Sequence, residues 1–213
     1  MSSEPSAVTL EHERALWGKG MAFVAGVDEA GRGPLAGPVV AAAVVFEREF
    51  ILPDVNDSKV LPEAMRETLF AQIMDRALAV GVGVVDHTTI DEINILNATF
   101  RAMHMAIDRL AVTPDHVLID GNRFDGGTIP YTTIIDGDAQ SFCIAAASII
   151  AKVTRDRLMN AYDVQFPGYG FARHKGYATR EHCEAIRRLG YSAIHRRSFA
   201  LATDPNQLLI FQD

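Results

Sequence analysis

Two adjacent carboxylates, Asp28 and Glu29, close an apolar run over residues 23–27, and the glycine-rich string Gly31-Arg32-Gly33-Pro34 follows them before a second apolar run at 38–46. Neighbouring carboxylates repel each other unless one is protonated or a cation sits between them. The glycines let the backbone come close to a ligand, and Arg32 adds a fixed positive charge. Taken alone, the stretch fits either a polar strand-to-strand turn or a charged site. A second apolar run, 116–119, also ends in an acid, Asp120, followed by Gly121. Acids ending strands that neighbour each other in one sheet would converge where open α/β sheets hold their ligands. A third acidic group, Asp136-Gly137-Asp138, follows the run at 131–135.

Cations and hydroxyls form a second set. Ser148, Lys152 and Arg155 lie at i, i+4 and i+7 of a helix expected over 141–162, so they share one face. A hydroxyl with two cations suits phosphate groups, and a solvated helix face has the same spacing. Asp156 reads as an ion-pair partner for Arg155 or Lys152. After the turn-rich string Pro167-Gly168-Tyr169-Gly170-Phe171 comes Arg173-His174-Lys175-Gly176-Tyr177, where bases alternate with rings. That mixture suits a nucleic-acid groove, in which rings stack and cations meet phosphates. His104 reads as a packed or surface histidine, not a ligand. Cys143 and Cys183 fit no metal spacing and read as inert thiols in a reducing compartment.

These residues need a frame. Short glycine-bounded apolar runs read as buried strands. Strands are expected at 21–28 and 37–46, antiparallel because their link is short, and at 80–85, 116–120 and 131–135. Pro62 suits the first turn of a helix with Leu61, Met65, Leu69, Ile73 and Ala77 on its apolar face. Thr89 and Glu92 have capping-box spacing ahead of a long helix whose apolar face carries Ile93, Leu96, Phe100, Met103, Ile107 and Leu110. A helix at 179–189 closes at Gly190. Leu10, Arg14 and Trp17 give a short N-terminal helix, with Trp17 packed on the domain. The pattern is α/β.

The 213 residues are 48% hydrophobic, enough for a real core in one domain with a small helical appendage. No apolar run approaches the ~18 residues of a membrane span, and the first 20 residues show no secretory pattern; a cytoplasmic protein is expected. The net charge of −7 is uneven: residues 1–138 carry 10 Lys+Arg against 21 Asp+Glu, and residues 139–213 carry 10 against 6. An acidic site beside a basic binding surface accounts for that asymmetry.

Asp28-Glu29-Ala30-Gly31-Arg32-Gly33-Pro34 resembles the signature of the type 2 ribonucleases H (ribonuclease HII). The string from Ala145 to Asp156 resembles a second signature of that family, His174-Lys175-Gly176-Tyr177 with Thr179 a third, and His195-Arg196-Arg197-Ser198-Phe199 a fourth. Together they cover roughly residues 24–199. The resemblance implies a ribonuclease H-like fold, with a central mixed five-stranded sheet flanked by helices and a C-terminal helical region. It divides the chain into an N-terminal extension (1–20), a catalytic domain (21–163), a helical substrate-binding region (164–200) and a tail (201–213). It also implies an endonuclease that hydrolyses the RNA strand of RNA–DNA hybrids and nicks duplex DNA 5′ of single embedded ribonucleotides, leaving 3′-hydroxyl and 5′-phosphate ends.

The ligands implied are Asp28, Glu29, Asp120 and Asp138, with Asp28 bridging. Their charge calls for two divalent cations, and all-oxygen donors favour Mg²⁺ or Mn²⁺. The family often has a lysine where this chain has Asp136. By the same resemblance, the backbone of Gly31-Arg32-Gly33 contacts the 2′-hydroxyl, Tyr177 packs on the adjacent deoxyribose, and Lys59, Ser148 and Lys152 hold phosphates. In the tail, Gln207, Leu208 and Phe211 resemble a sliding-clamp-binding peptide, and the same residues also suit a terminus packed on its own domain. The sister enzyme ribonuclease HIII is the alternative within this chemistry, though it usually has an extra N-terminal domain and lacks the arginine between the glycines. A non-catalytic hybrid-binding protein is the alternative outside it.

Overall fold

The computed structural model of this protein describes residues 8–199. The two apolar runs around the first acid pair form β1 (Val24–Ala30) and β2 (Val39–Val45), paired antiparallel as expected. Every residue of β2 is buried. With side chains alternating, Ala42 and Val44 enter one core layer while Val39, Ala41, Ala43 and Val45 enter the other. β3 (Ala79–Val85) pairs antiparallel with β2. β4 (His116–Asp120) runs parallel to β1, and β5 (Tyr131–Ile134) runs parallel to β4. The order β3-β2-β1-β4-β5 makes a mixed five-stranded sheet with β1 at its centre.

Helices cover both faces. α1 (Glu11–Trp17) packs Trp17 at the edge of the core. α2 (Glu63–Arg76), which Pro62 precedes as N-cap, and α4 (Phe142–Gln165), capped by Ser141, cover one face. α4 comes so close to β1 that a Cβ on Gly26 would overlap the backbone of Cys143 and Ile144, and its facing residues Ala145, Ala146 and Ala147 are all small and buried. α3 (His87–Asp108) covers the other face.

α3 differs from expectation in two ways. Its N-cap is Asp86, whose carboxylate accepts from the Thr89 amide at 2.8 Å; Thr89 is therefore inside the first turn and not the cap. The helix also breaks at Asn94 (φ 64°), whose side chain accepts from the Asn97 amide at 3.1 Å and starts a second helical segment. Of the expected apolar face only Phe100 and Met103 are fully buried. Ala98, Ala102 and Ala106 sit nearest the sheet, because Gly81 and Gly83 of β3 let the helix backbone approach.

Beyond α4, the short α5 (Phe171–His174) and α6 (Arg180–Leu189) pack with Met159, Tyr169 and Ile194 around Ala36. An isolated antiparallel bridge joins Ala36 to His195, which ties this region to the glycine-rich turn. No helix among the described residues is long and apolar enough to cross a membrane. Gln207, Leu208 and Phe211 lie outside the described residues.

Candidate active site

The parallel register does the first positioning. Val27 of β1 lies opposite Ile119 of β4, so the next residues, Asp28 and Asp120, end up side by side. The extra residues of β1 carry Glu29 and Ala30 past that point, inside the strand and not in the turn after it. Asp28 pairs with Ala42 of the α4-side layer, and Glu29 pairs with Ala41 of the α3-side layer. The two acids therefore face opposite sides of the sheet, and the cleft that both line wraps around its end. Its volume is ≈ 400 Å³, and it also takes in Gly31, Arg32, Gly33, Lys59, Asp120, Lys152 and Tyr177.

Asp138 enters from a 3₁₀ turn, Gly137–Ala139, that follows β5. The Gly137 amide donates to Asp120 Oδ1 at 2.7 Å, which locks that turn to the end of β4. Asp138 is 3% exposed, whereas Asp136 adopts the left-handed region (φ 53°) and lies exposed. The geometry thus turns Asp138 inward and Asp136 outward.

The electrostatics of the four carboxylates follow from burial and mutual repulsion. Burial, then the charges of Glu29, Asp120 and Asp138, push the Asp28 carboxyl well above its ordinary range, against one hydrogen bond from the Glu29 amide at 2.6 Å. Burial also raises Glu29, opposed by Arg32 at 3.2 Å. Burial and then Asp138 raise Asp120. Lys59 Nζ lies 3.0 Å from Asp138 and 3.9 Å from Asp57. Burial works against its charge, but these carboxylates outweigh burial and raise its pKa. Four carboxylates short of positive charge suit hard divalent cations, which take oxygen ligands. Among the described residues no three His, Cys, Asp or Glu side chains already stand in metal-binding arrangement. Here the outer acids, Glu29 and Asp138, are instead satisfied by Arg32 and Lys59.

The basic helix face separates into three roles. Arg155 is 1% exposed and donates to the carbonyls of Pro38 (3.0 Å) and Ala36 (3.2 Å), so it braces the chain after the glycine turn instead of offering its charge to a phosphate. Ser148 is 2% exposed; its hydroxyl donates to Ala145 O and accepts from the Ser58 amide, so it anchors the Asp57-Ser58-Lys59 loop and is not free for a phosphate. Lys152 does line the cleft, with Nζ held 2.6 Å from both Asp156 oxygens. Burial lowers its pKa, opposed by Asp156.

Tyr177, half-exposed, stands over the glycine turn: a Cβ on Gly33 would lie 3.6 Å from its ring. Sequence reasoning missed what holds that turn. Arg196, 1% exposed, donates to the carbonyls of Gly37 (3.0 Å), Arg32 (2.9 Å) and Gly31 (2.6 Å). The string His195-Arg196-Arg197-Ser198-Phe199 was the available signal, but sequence cannot tell a buried arginine from an exposed one. His104 pairs with Asp125 at 2.8 Å, away from the acids.

Comparison with known proteins bears on this arrangement. A family model described as ribonuclease HII matches residues 25–202. Ribonuclease HII of Acholeplasma laidlawii is 57% identical over 191 residues, which cover 90% of this chain and 94% of that one. The crystal structure of ribonuclease H2 from Pyrococcus horikoshii superposes with a TM-score of 0.71 at 29% identity, over 87% of this chain and 96% of that one. The ribonuclease HII of Archaeoglobus fulgidus, solved in complex with PCNA, gives a TM-score of 0.74 at 26% identity, over 85% and 97%. The mixed sheet and its flanking helices are therefore a ribonuclease H-like fold.

Proposed function

The chain belongs to the ribonuclease HII family and is a ribonuclease H hydrolase; from that premise we propose that it cleaves the RNA strand of RNA–DNA hybrids and nicks duplex DNA on the 5′ side of single embedded ribonucleotides. The observation that carries the reading is the convergence of Asp28 and Asp120 at adjacent parallel strand ends, with Glu29 and Asp138 beside them and the glycine turn along the same cleft. Two divalent cations, Mn²⁺ or Mg²⁺, held by Asp28, Glu29, Asp120 and Asp138 would activate the attacking water and neutralise the departing 3′-oxygen. Asp28, whose carboxyl feels the charges of the other three, would contribute to holding both ions. The products are a 3′-hydroxyl and a 5′-phosphate on the ribonucleotide.

The remaining residues bind and orient. The 2′-hydroxyl, both donor and acceptor, distinguishes RNA from DNA, and the backbone of Gly31-Arg32-Gly33 reads it. Tyr177 packs on the neighbouring deoxyribose, where a ribose hydroxyl would meet its ring. Lys59 leaves Asp138 for a phosphate when the acids take up cations, and Lys152 meets a second phosphate. Ser148 acts through the loop that carries Lys59. The tail residues Gln207, Leu208 and Phe211 contact a sliding clamp; the archaeal relative solved with PCNA is in keeping with that partner.

The test uses a DNA duplex carrying one ribonucleotide, with an all-DNA duplex as control. A nick 5′ of the ribonucleotide that requires Mg²⁺ or Mn²⁺, and is absent from the control, is expected. Tight binding without a nick in either metal would replace this reading with that of a hybrid-binding protein.

A further inference from the structure

Three histidines, His174, His182 and His195, are buried together behind Tyr177, and the cleavage chemistry uses none of them. His174 and His182 stack with ring centroids 4.4 Å apart. His182 and His195 face each other through Nε2 atoms 3.0 Å apart. Fixed partners set the direction of every bond. The Ser192 amide can only donate, and it lies 2.8 Å from His195 Nδ1, so that nitrogen is an acceptor and Nε2 carries the proton. The Tyr177 carbonyl can only accept, and it lies 2.9 Å from His182 Nδ1, so Nδ1 carries the proton and Nε2 accepts. The two requirements agree: His195 Nε2–H donates to His182 Nε2. His174 is fixed likewise, donating from Nε2 to Tyr169 O and accepting at Nδ1 from the Gly176 amide.

The ends of this relay are attached to the substrate cleft. Gly176 O accepts from the Leu35 amide at 2.8 Å, and Ile194 O accepts from the Gly37 amide at 2.9 Å. Residues 176–177 and 194–196 therefore clasp the same glycine-rich segment, and the His195–His182–Tyr177 chain cross-links the two. We propose that His182 and His195 are positioning residues, whose directed hydrogen bonds from Ser192 to the Tyr177 carbonyl set the Tyr177 ring over the glycine turn. The proposal rests on the reading of Tyr177 as the residue that packs on the deoxyribose. Burial in the first place brings both imidazoles down to about 4 and keeps them neutral, as the relay requires.

Two experiments test it. Long-range ¹⁵N–¹H NMR near pH 7 reads the tautomers of the full chain without any assay. Neutral His182 with Nδ1–H and neutral His195 with Nε2–H are expected; the opposite tautomer, or a protonated ring, at either position overturns the relay. Kinetics then tests positioning. His182→Phe keeps a flat aromatic ring, slightly larger than imidazole, and removes both relay bonds, the one to Tyr177 O and the one from His195 Nε2–H. On a duplex with one ribonucleotide kcat should therefore fall about 5- to 30-fold, in line with two lost hydrogen bonds, while duplex affinity, set by phosphate contacts, stays within about 2-fold. His182→Asn, whose amide can reach the same carbonyl, should recover most of the rate.

In a Tyr177→Ala background His182→Phe should cost no more than about 2-fold, because its route is gone. If Tyr177→Ala lowers the rate and His182→Phe still adds its full loss, the positioning proposal fails alone. If Tyr177→Ala leaves the rate unchanged, the sugar-packing reading fails, and the proposal with it.

Discussion

Arg196→Lys puts the support of the glycine-rich turn to a quantitative test. The guanidinium serves three carbonyls at once, those of Gly31 and Gly37 in buried bonds and that of Arg32 in a partly buried one. An ammonium keeps the charge but cannot span all three. Two carbonyls would then lack this donor, at about 1–3 kcal/mol each. The buried lysine carries a desolvation cost like that of the arginine it replaces, so little is recovered there. A loss of about 3 kcal/mol follows. For a chain of this length that is roughly 6–12 °C in Tm. Urea unfolding with an unchanged m-value gives the stability, and the single-ribonucleotide duplex gives the function. Because the freed carbonyls belong to the turn proposed to read the 2′-hydroxyl, kcat should fall at least about 10-fold. A variant with wild-type midpoint and wild-type rate would refute the idea that buried hydrogen bonds hold this turn in shape.

Asp28→Asn should abolish cleavage and yet stabilise the metal-free protein at pH 7–8, by roughly 3–6 °C. The sign follows from the raised carboxyl of Asp28. A group whose pKa is higher when folded adds stability at low pH and loses it as pH rises through the folded value, so the advantage of asparagine should vanish near pH 4 and shrink when Mg²⁺ is added. Thermal melts across pH with and without metal check this. Lys59→Ala should weaken duplex binding equally for all sequences and reduce the slope of log K against log salt by about one; an unchanged slope in a salt titration would remove the phosphate role. Deleting residues 205–213 should leave turnover on free oligonucleotides within about 2-fold and abolish co-elution with a bacterial sliding clamp, since a short peptide of this kind binds by a few apolar anchors.

The sheet was largely legible because its signal is local. Runs such as 39–45 are apolar without interruption, with Gly37 just before and Glu47 just after, and a short link forces β1 and β2 antiparallel. What sequence could not supply was register. That Val27 sits opposite Ile119, and so brings Asp28 beside Asp120, depends on a parallel pairing across about 90 residues. The start of α3 was misplaced because Thr89 and Asp86 are both good caps; the aspartate comes first, and the break at Asn94 has no apolar period to announce it. The face bearing Ser148, Lys152 and Arg155 was correctly read as one face. Depth was not legible, because helical spacing is silent about it: Ser148 and Arg155 are almost fully buried, Arg155 lines the cleft with its guanidinium committed to two carbonyls, and Lys152 is the most exposed of the three. The roles of Arg196 and the three histidines were not legible for the same reason, since they lie in carbonyls and rings distant in sequence.

Counting bound Mn²⁺ by EPR is the most direct test of the account. The titration would use the full chain with a nicked duplex bearing a 5′-phosphorylated ribonucleotide, which resembles product and is not cut again. Two tightly bound ions per chain are predicted, with tight binding lost in both Asp28→Asn and Asp120→Asn. Tight Mn²⁺ binding that survives unchanged in both variants would contradict the assignment of these carboxylates as the metal-holding centre.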